Sequence, residues 1–168
     1  MILTITLNAT IDIVVPIDNM EKGKVLRTKS IYFYPGGKGT NVARALSELK
    51  AKVYATGFCG DKNFNLMDEF LKKHKVINKF IKVKGENRPC VLITETKKRN
   101  ETIINSESSL IITRDNVNDF MNTTKKLTPK CKYTILSGSL PVCLPSNFYE
   151  SLIRKIKLLF CLIHILPI

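Results

Sequence analysis

The densest cluster of residues with chemistry to offer is Pro35-Gly36-Gly37-Lys38-Gly39-Thr40-Asn41. Consecutive glycines let a backbone approach a ligand closely and adopt positive φ. The free N–H groups of a helix that begins here favour anions, and Lys38 adds a charge. The run lacks the spacer that a Walker A loop places between its first Gly and its Gly-Lys-Ser/Thr ending. Taken alone, a Gly-Gly-x-Gly turn before a helix serves a ligand or a tight structural turn equally well.

Three further polar breaks interrupt apolar segments. Asn8 to Asp12 follows the first strand-like run, and strand ends carry ligands in open α/β sheets. Asp12 sits on an otherwise apolar strand, as a ligand carboxylate or as a surface or turn residue. Ser137-Gly138-Ser139-Leu140-Pro141 follows a short buried strand. Arg88 stands between Gly85-Glu86-Asn87 and another strand, where a guanidinium can clamp a phosphate bidentately or remain an ordinary surface group. Brought together, these breaks would line one crevice, offering a carboxylate for hydroxyls and positive groups for a phosphate. A phosphorylated sugar fits that description.

The elements that must position them follow from periodicity. Met1–Leu7, Ile11–Ile17 and Ser30–Tyr34 read as strands. Thr40 or Asn41 can cap a helix whose apolar positions are Val42, Ala45, Leu46 and Leu49. Val53–Phe58 is a strand, and Asp61 a cap for a helix through His74 with Phe64, Met67 and Leu71 on one face. Val76–Val83 reads as a strand, and Cys90–Thr96 with Thr102–Asn105 as a hairpin around Lys97-Lys98-Arg99-Asn100. Thr113 caps a helix bearing Val117, Phe120 and Met121. Tyr133–Leu136 is a buried strand, and Pro145-Ser146 opens a last helix with Phe148, Leu152, Ile153 and Ile156 on its face. Strand and helix mostly alternate, which predicts a parallel α/β sheet. The short strands near 11–34 and 87–105, with no helices between them, predict a small second sheet.

Composition narrows the rest. The chain has 168 residues, 44% of them hydrophobic, enough to bury a core in one domain. No run is long and apolar enough for a membrane helix, and the N-terminus lacks a basic leader with a long apolar stretch. A cytoplasmic location without membrane association is the expectation. The five cysteines, at 59, 90, 131, 143 and 161, form no C-x-x-C pair and read as free thiols. Neither His74 nor His164 stands in a metal-ligand pattern, so no metal site is expected. The net charge of +13 comes from lysines spread in short clusters near 72–75, 97–99, 125–126 and 154–157. A solvated basic surface explains it, with a field favouring phosphorylated metabolites as the alternative. No aromatic–basic interleaving suggests nucleic acid as a partner.

The motifs in their order resemble the ribokinase-like, PfkB-type carbohydrate kinases. The resemblance rests on Met1-Ile-Leu-Thr-Ile-Thr-Leu-Asn-Ala-Thr-Ile-Asp12, Gly36-Gly-Lys-Gly-Thr-Asn-Val-Ala-Arg-Ala-Leu46, Gly57-Phe-Cys-Gly60 and Ser137-Gly-Ser-Leu-Pro141, and runs from residue 1 to about 157. Lys84-Gly-Glu-Asn-Arg-Pro-Cys-Val-Leu-Ile93 resembles the 1-phosphofructokinase and tagatose-6-phosphate kinase branch, with Cys90 tilting toward the latter. The resemblance implies an α/β ribokinase-like sheet with flanking helices and a small β lid formed by the short strands. It implies ATP and Mg²⁺, and transfer of the γ-phosphoryl group to a ketohexose monophosphate. Asp12 would hold sugar hydroxyls, Gly37, Lys38 and Asn41 would line the sugar-phosphate site, and Arg88 would reach from the lid to the phosphate. Ser137 and Gly138 would border the crevice, with Asn8 beside it.

The sequence departs from that pattern in places. Ala9-Thr10 stands where the family usually has Pro-Ala or Pro-Ser, and Asn87-Arg88 where Thr-Arg is usual. Family members continue into a second half that carries a Lys-Pro-Asn segment and a Gly-x-Gly-Asp motif with the catalytic base, and neither occurs here. Residues 158–168 form an apolar tail free of Lys, Arg, Asp and Glu, where the branch has a Gly turn, a strand and a carboxylate. The expectation is a fold truncated after about half its length by a shortened or shifted reading frame. A genuine short C-terminal strand is the alternative. On that reading catalysis is incomplete, most of the nucleotide site is absent, and the partners are a sugar phosphate, a second copy or a complementing C-terminal fragment. The other function is that of a catalytically inactive phosphosugar-binding fragment.

Overall fold

The computed structural model describes residues 1–156 and the backbone of 161–164. In chain order the elements are strands β1 (Ile2–Thr6), β2 (Thr10–Ile17) and β3 (Tyr32–Gly36), helix α1 (Lys38–Glu48), β4 (Val53–Gly60) and α2 (Phe64–Lys73). Then come β5 (Ile77–Asn78), β6 (Ile81–Val83), β7 (Arg88–Glu95), β8 (Asn100–Asn105), α3 (Arg114–Leu127), β9 (Tyr133–Ser137), α4 (Phe148–Ile156) and β10 (Cys161–His164).

The main sheet runs β10-β9-β1-β4-β5, with β6 also on β4, and every pairing is parallel. Its central strands β1 and β4 are buried along nearly their whole length, as parallel strands covered on both faces must be. Leu3, Ile5 and Leu7 of the β1 segment join Phe58, Phe120, Leu136, Phe148 and Leu152 in one core cluster beneath α3 and α4. Val53, Ala55 and Cys59 of β4 join Ala43, Met67, Leu71 and Phe80 in the other, beneath α1 and α2. The intervening β1 residues Thr4 and Thr6 are buried, and the Thr40 hydroxyl of α1 donates to Thr6 Oγ1 at 3.4 Å.

The second sheet runs β3-β2-β7-β8 and interrupts the β1–α1–β4 unit. β2 pairs antiparallel with β3 and parallel with β7, and β8 closes a hairpin with β7. All six β8 residues are exposed, so this sheet projects from the body.

Local chemistry shifts several predicted boundaries. The first helix is capped by Gly37, at φ 104°, rather than by Thr40 or Asn41. Thr40 is spent on Thr6 inside the first turn. Asp61 does not cap α2: it opens a 3-10 turn, and its carboxylate accepts from the Gly85 N–H at 3.1 Å. The strand predicted over Val76–Val83 is split where Lys79 donates its N–H to Ala55 at 2.8 Å and accepts from the Thr56 hydroxyl at 2.7 Å. Thr113 caps α3 as expected, in a reciprocal box with Asn116. The backbone of 161–164 pairs parallel with β9. The rest of the apolar tail lies outside the described residues, as do the side chains of Cys161 and His164. Among the described cysteines, Cys59, Cys90, Cys131 and Cys143 are free thiols. No helix among the described residues is long and apolar enough to cross a membrane.

Candidate functional site

The chain leaves β1 toward β4 on one side of the sheet and returns through β9 on the other. Strand order therefore reverses at β1, so the carboxyl ends of β1 and β9 form a topological switch point, the usual place for a ligand in an open α/β sheet. Three loops meet there. Asn8, just past β1, donates from Nδ2 to Ser139 Oγ at 3.2 Å and to the Leu140 carbonyl at 3.4 Å. Gly37 packs against the same turn, since a Cβ on it would lie 2.7 Å from Thr6 Cγ2 and 3.2 Å from Ala9 Cα. Gly138, at φ 104°, lies beside Lys38: a Cβ there would be 3.8 Å from Lys38 Cβ. The Tyr149 hydroxyl of α4 donates to the Gly138 carbonyl at 3.1 Å and holds that loop in place. Burial pushes the Tyr149 phenol well above its ordinary range, so it remains a donor.

The second sheet brings Asp12 and Arg88 to one of its faces. Side chains alternate along a strand and register partners share a face. Thr10 pairs with Arg88 on one side and Gly36 on the other, and Asp12 pairs with Cys90 and Tyr34. The Thr10 hydroxyl donates to Asp12 Oδ1 at 2.6 Å. The carboxyl also lies over Gly36, where a Cβ would stand 2.5 Å from Oδ1 and closer still to Oδ2 and Cγ. Burial pushes the Asp12 carboxyl above its usual range, while the Thr10 hydrogen bond and the Arg88 charge pull it back. Cys90 is held up by burial and then by the Asp12 charge, with Arg88 opposing.

Arg88 donates from Nη1 to the Ser106 carbonyl at 3.3 Å, while its buried Nε has no partner. Asn8 Oδ1 is likewise buried without one. The base of the sheet is fixed by Asn87, which accepts from the Gly60 N–H at 2.6 Å and whose own N–H donates to Asn63 Oδ1 at 2.8 Å. Beneath it, burial pushes the Cys59 thiol up to about 12, so it is inert at neutral pH. The opposite face, with Ile11, Ile13, Phe33 and Pro89, closes a cavity of about 460 Å³ against Asn63 and Leu66. Arg88 also borders that cavity, whereas Asp12, Lys38 and Gly138 do not.

Of the residues singled out in the sequence, Gly37, Lys38 and Gly138 meet at the strand ends, and Asp12 and Arg88 share one face of the second sheet. Ser137 is buried at the end of β9. Asn41 is exposed in the first turn of α1, its N–H bonded to the Gly37 carbonyl at 2.9 Å. Thr10, Tyr34 and the Asn63–Asn87–Gly60 network escaped sequence reasoning. Period-two alternation could have put Thr10 beside Asp12, but only cross-strand register places Tyr34.

The family described as "pfkB family carbohydrate kinase" matches residues 5–157. The chain belongs to the pfkB family. Its fold is the α/β ribokinase-like one. A structure described as a "possible 1-phosphofructokinase" from Thermotoga maritima superposes with a TM-score of 0.91 at 29% identity, over 99% of this chain and 54% of that one. Phosphofructokinase-2 from Escherichia coli, solved with substrates and products, gives 0.87 at 20% identity, over 98% and 54%. Ribokinase from Giardia lamblia gives 0.71 at 17%, over 93% and 50%. The chain thus spans about half the length of the solved structures it matches.

Proposed function

We propose that this chain carries the sugar-phosphate half of a phosphotransferase acting on a ketohexose monophosphate, tagatose-6-phosphate or fructose-1-phosphate. Two observations support the reading: Arg88 acts on the Asp12 carboxyl from the neighbouring strand of the second sheet, and Lys38 stands beside Gly138 at the strand ends where the order reverses at β1. In this reading Asp12 accepts hydrogen bonds from sugar hydroxyls. Lys38 and the first N–H groups of α1 attract the phosphate, and Gly37 lets the ligand approach the backbone. Asn41 lines the same end of α1, and Ser137 and Gly138 form the far wall. A phosphate at Arg88 would supply the partner that its buried Nε lacks, relieving an unsatisfied donor. Residues 1–157 then act as one unit, with the strands near 11–34 and 87–105 as its lid, in a cytoplasmic setting that keeps the thiols reduced.

ATP would be the phosphoryl donor, with Mg²⁺ shielding its phosphates. The described residues do not offer a magnesium donor set: no three His, Cys, Asp or Glu side chains gather, and the crevice carboxylate Asp12 is taken up by Thr10 and the field of Arg88. A second reading draws on the span of this chain, about half the length of the solved structures it matches: the chain binds the phosphosugar, and turnover needs a complementing C-terminal fragment or does not occur. A second copy of the chain is the other partner of this reading. Thermal-shift titration with each sugar phosphate, alongside an ATP-coupled assay, separates the two. Turnover supports the first, and stabilisation without turnover supports the second. Neither effect with either sugar contradicts both.

A further inference from the structure

We infer that Thr10 is a positioning residue for Asp12, fixing one carboxylate oxygen so that the other faces a sugar hydroxyl. The inference rests on the sugar-phosphate reading of the crevice. Thr10 is 4% exposed, and its hydroxyl has the Asp12 carboxylate as its hydrogen-bond partner at 2.6 Å. The two residues lie two apart on one strand and so point the same way. Thr10 is itself locked in place between Gly36 on β3 and Arg88 on β7. Below the carboxyl, Gly36 offers a surface that only hydrogen can occupy. The carboxylate is therefore held from the side by a hydroxyl and from beneath by a backbone, while Arg88 acts on it electrostatically. A carboxylate clamped on one oxygen presents its remaining lone pairs in a fixed direction, which is what selective recognition of a hydroxyl requires. Asn8 and Lys38, on the crevice loops, cannot supply that constraint, because neither hydrogen-bonds to Asp12.

The test compares Thr10→Val, which keeps the shape and removes the hydroxyl, with Thr10→Ser, which keeps the hydroxyl. Two quantities are read in the full chain: the pH titration of the Asp12 carboxyl by ¹³C NMR, and calorimetric binding of fructose-1-phosphate and tagatose-6-phosphate. In Thr10→Val the Asp12 titration moves to higher pH, and the better of the two sugars binds about tenfold more weakly or worse. The acid limit of binding moves up with the titration. Thr10→Ser stays within about threefold of wild type on the same energetic grounds. A purely structural role for Thr10 would change stability without shifting the acid limit. Wild-type binding that Thr10→Val leaves unchanged, with an unmoved Asp12 titration, overturns the role of Thr10 alone. Absence of saturable binding by wild type overturns the sugar-phosphate reading and this inference with it, even where the Asp12 titration still responds to Thr10.

Discussion

Gly36→Ala measures how closely the second sheet confines Asp12. Gly36 is buried, and its φ is not positive, so alanine meets no backbone penalty. The obstacle is the Asp12 carboxyl, whose three heavy atoms are the nearest neighbours of the added Cβ, with Oδ1 at 2.5 Å. Carbon–oxygen contacts settle at about 3.3 Å or more, so the carboxyl, whose other two heavy atoms are closer still, must retreat by at least ~0.8 Å. That retreat breaks the 2.6 Å hydrogen bond from Thr10. Hydrogen bonds to charged groups contribute about 1.5–3 kcal/mol, and partial exposure of Asp12 trims this to about 1–2 kcal/mol. The melting temperature should fall by about 2–8 °C for a chain of this size. Circular dichroism melts of the single and double variants form the assay. In an Asp12→Ala background the added methyl meets no carboxyl, and Gly36→Ala should cost less than about 0.5 kcal/mol. Equal cost in both backgrounds would refute the reasoning, because the clash would then lie elsewhere.

Gly57→Ala should abolish soluble expression or cost more than the roughly 3 kcal/mol of ordinary overpacking. Its φ is 145°, and a Cβ would overlap the Thr6 carbonyl, 2.6 Å from its carbon, in the β1–β4 pairing that carries the sheet. Phe120→Ala should lower stability in urea by about 3–5 kcal/mol, since its ring is fully buried against Phe58 at 5.1 Å and Phe148 at 6.2 Å. Burial holds the Asp12 carboxyl above its ordinary value, so the native state binds that proton more tightly than the unfolded chain. The resulting stability is present below about pH 4 and is lost as pH rises through the folded value. Asp12→Asn should therefore melt no lower than wild type at pH 7, with its relative advantage shrinking toward pH 3, while sugar-phosphate affinity falls.

The alternation of strand and helix was legible because each element carries its own apolar period: Leu3, Ile5 and Leu7 alternate, and Met67 and Leu71 recur on one helix face. The second sheet was legible from the helix-free spacing of its strands. Boundaries were harder wherever a polar side chain had two uses. Thr40 looks like a cap, yet the sheet beneath it offers Thr6 as a partner, and Gly37 can take the φ that ends the loop. Asp61 looks like a cap, yet the Gly85 N–H from a loop distant in sequence claims it. Local spacing could nominate Asp12, Lys38, Arg88 and Gly138. It could not state that Asp12 faces Tyr34 and Cys90, because register is a property of strand pairs.

Calorimetric titration of fructose-1-phosphate and tagatose-6-phosphate into the 168-residue chain, beside Lys38→Ala and Arg88→Ala, addresses the crevice most directly. Saturable binding of one sugar, weakened about tenfold or more in each variant as loss of a charged contact requires, is the predicted result. Heat signals indistinguishable from dilution for both sugars, or an affinity that neither substitution changes, would contradict a sugar-phosphate crevice at the head of β1.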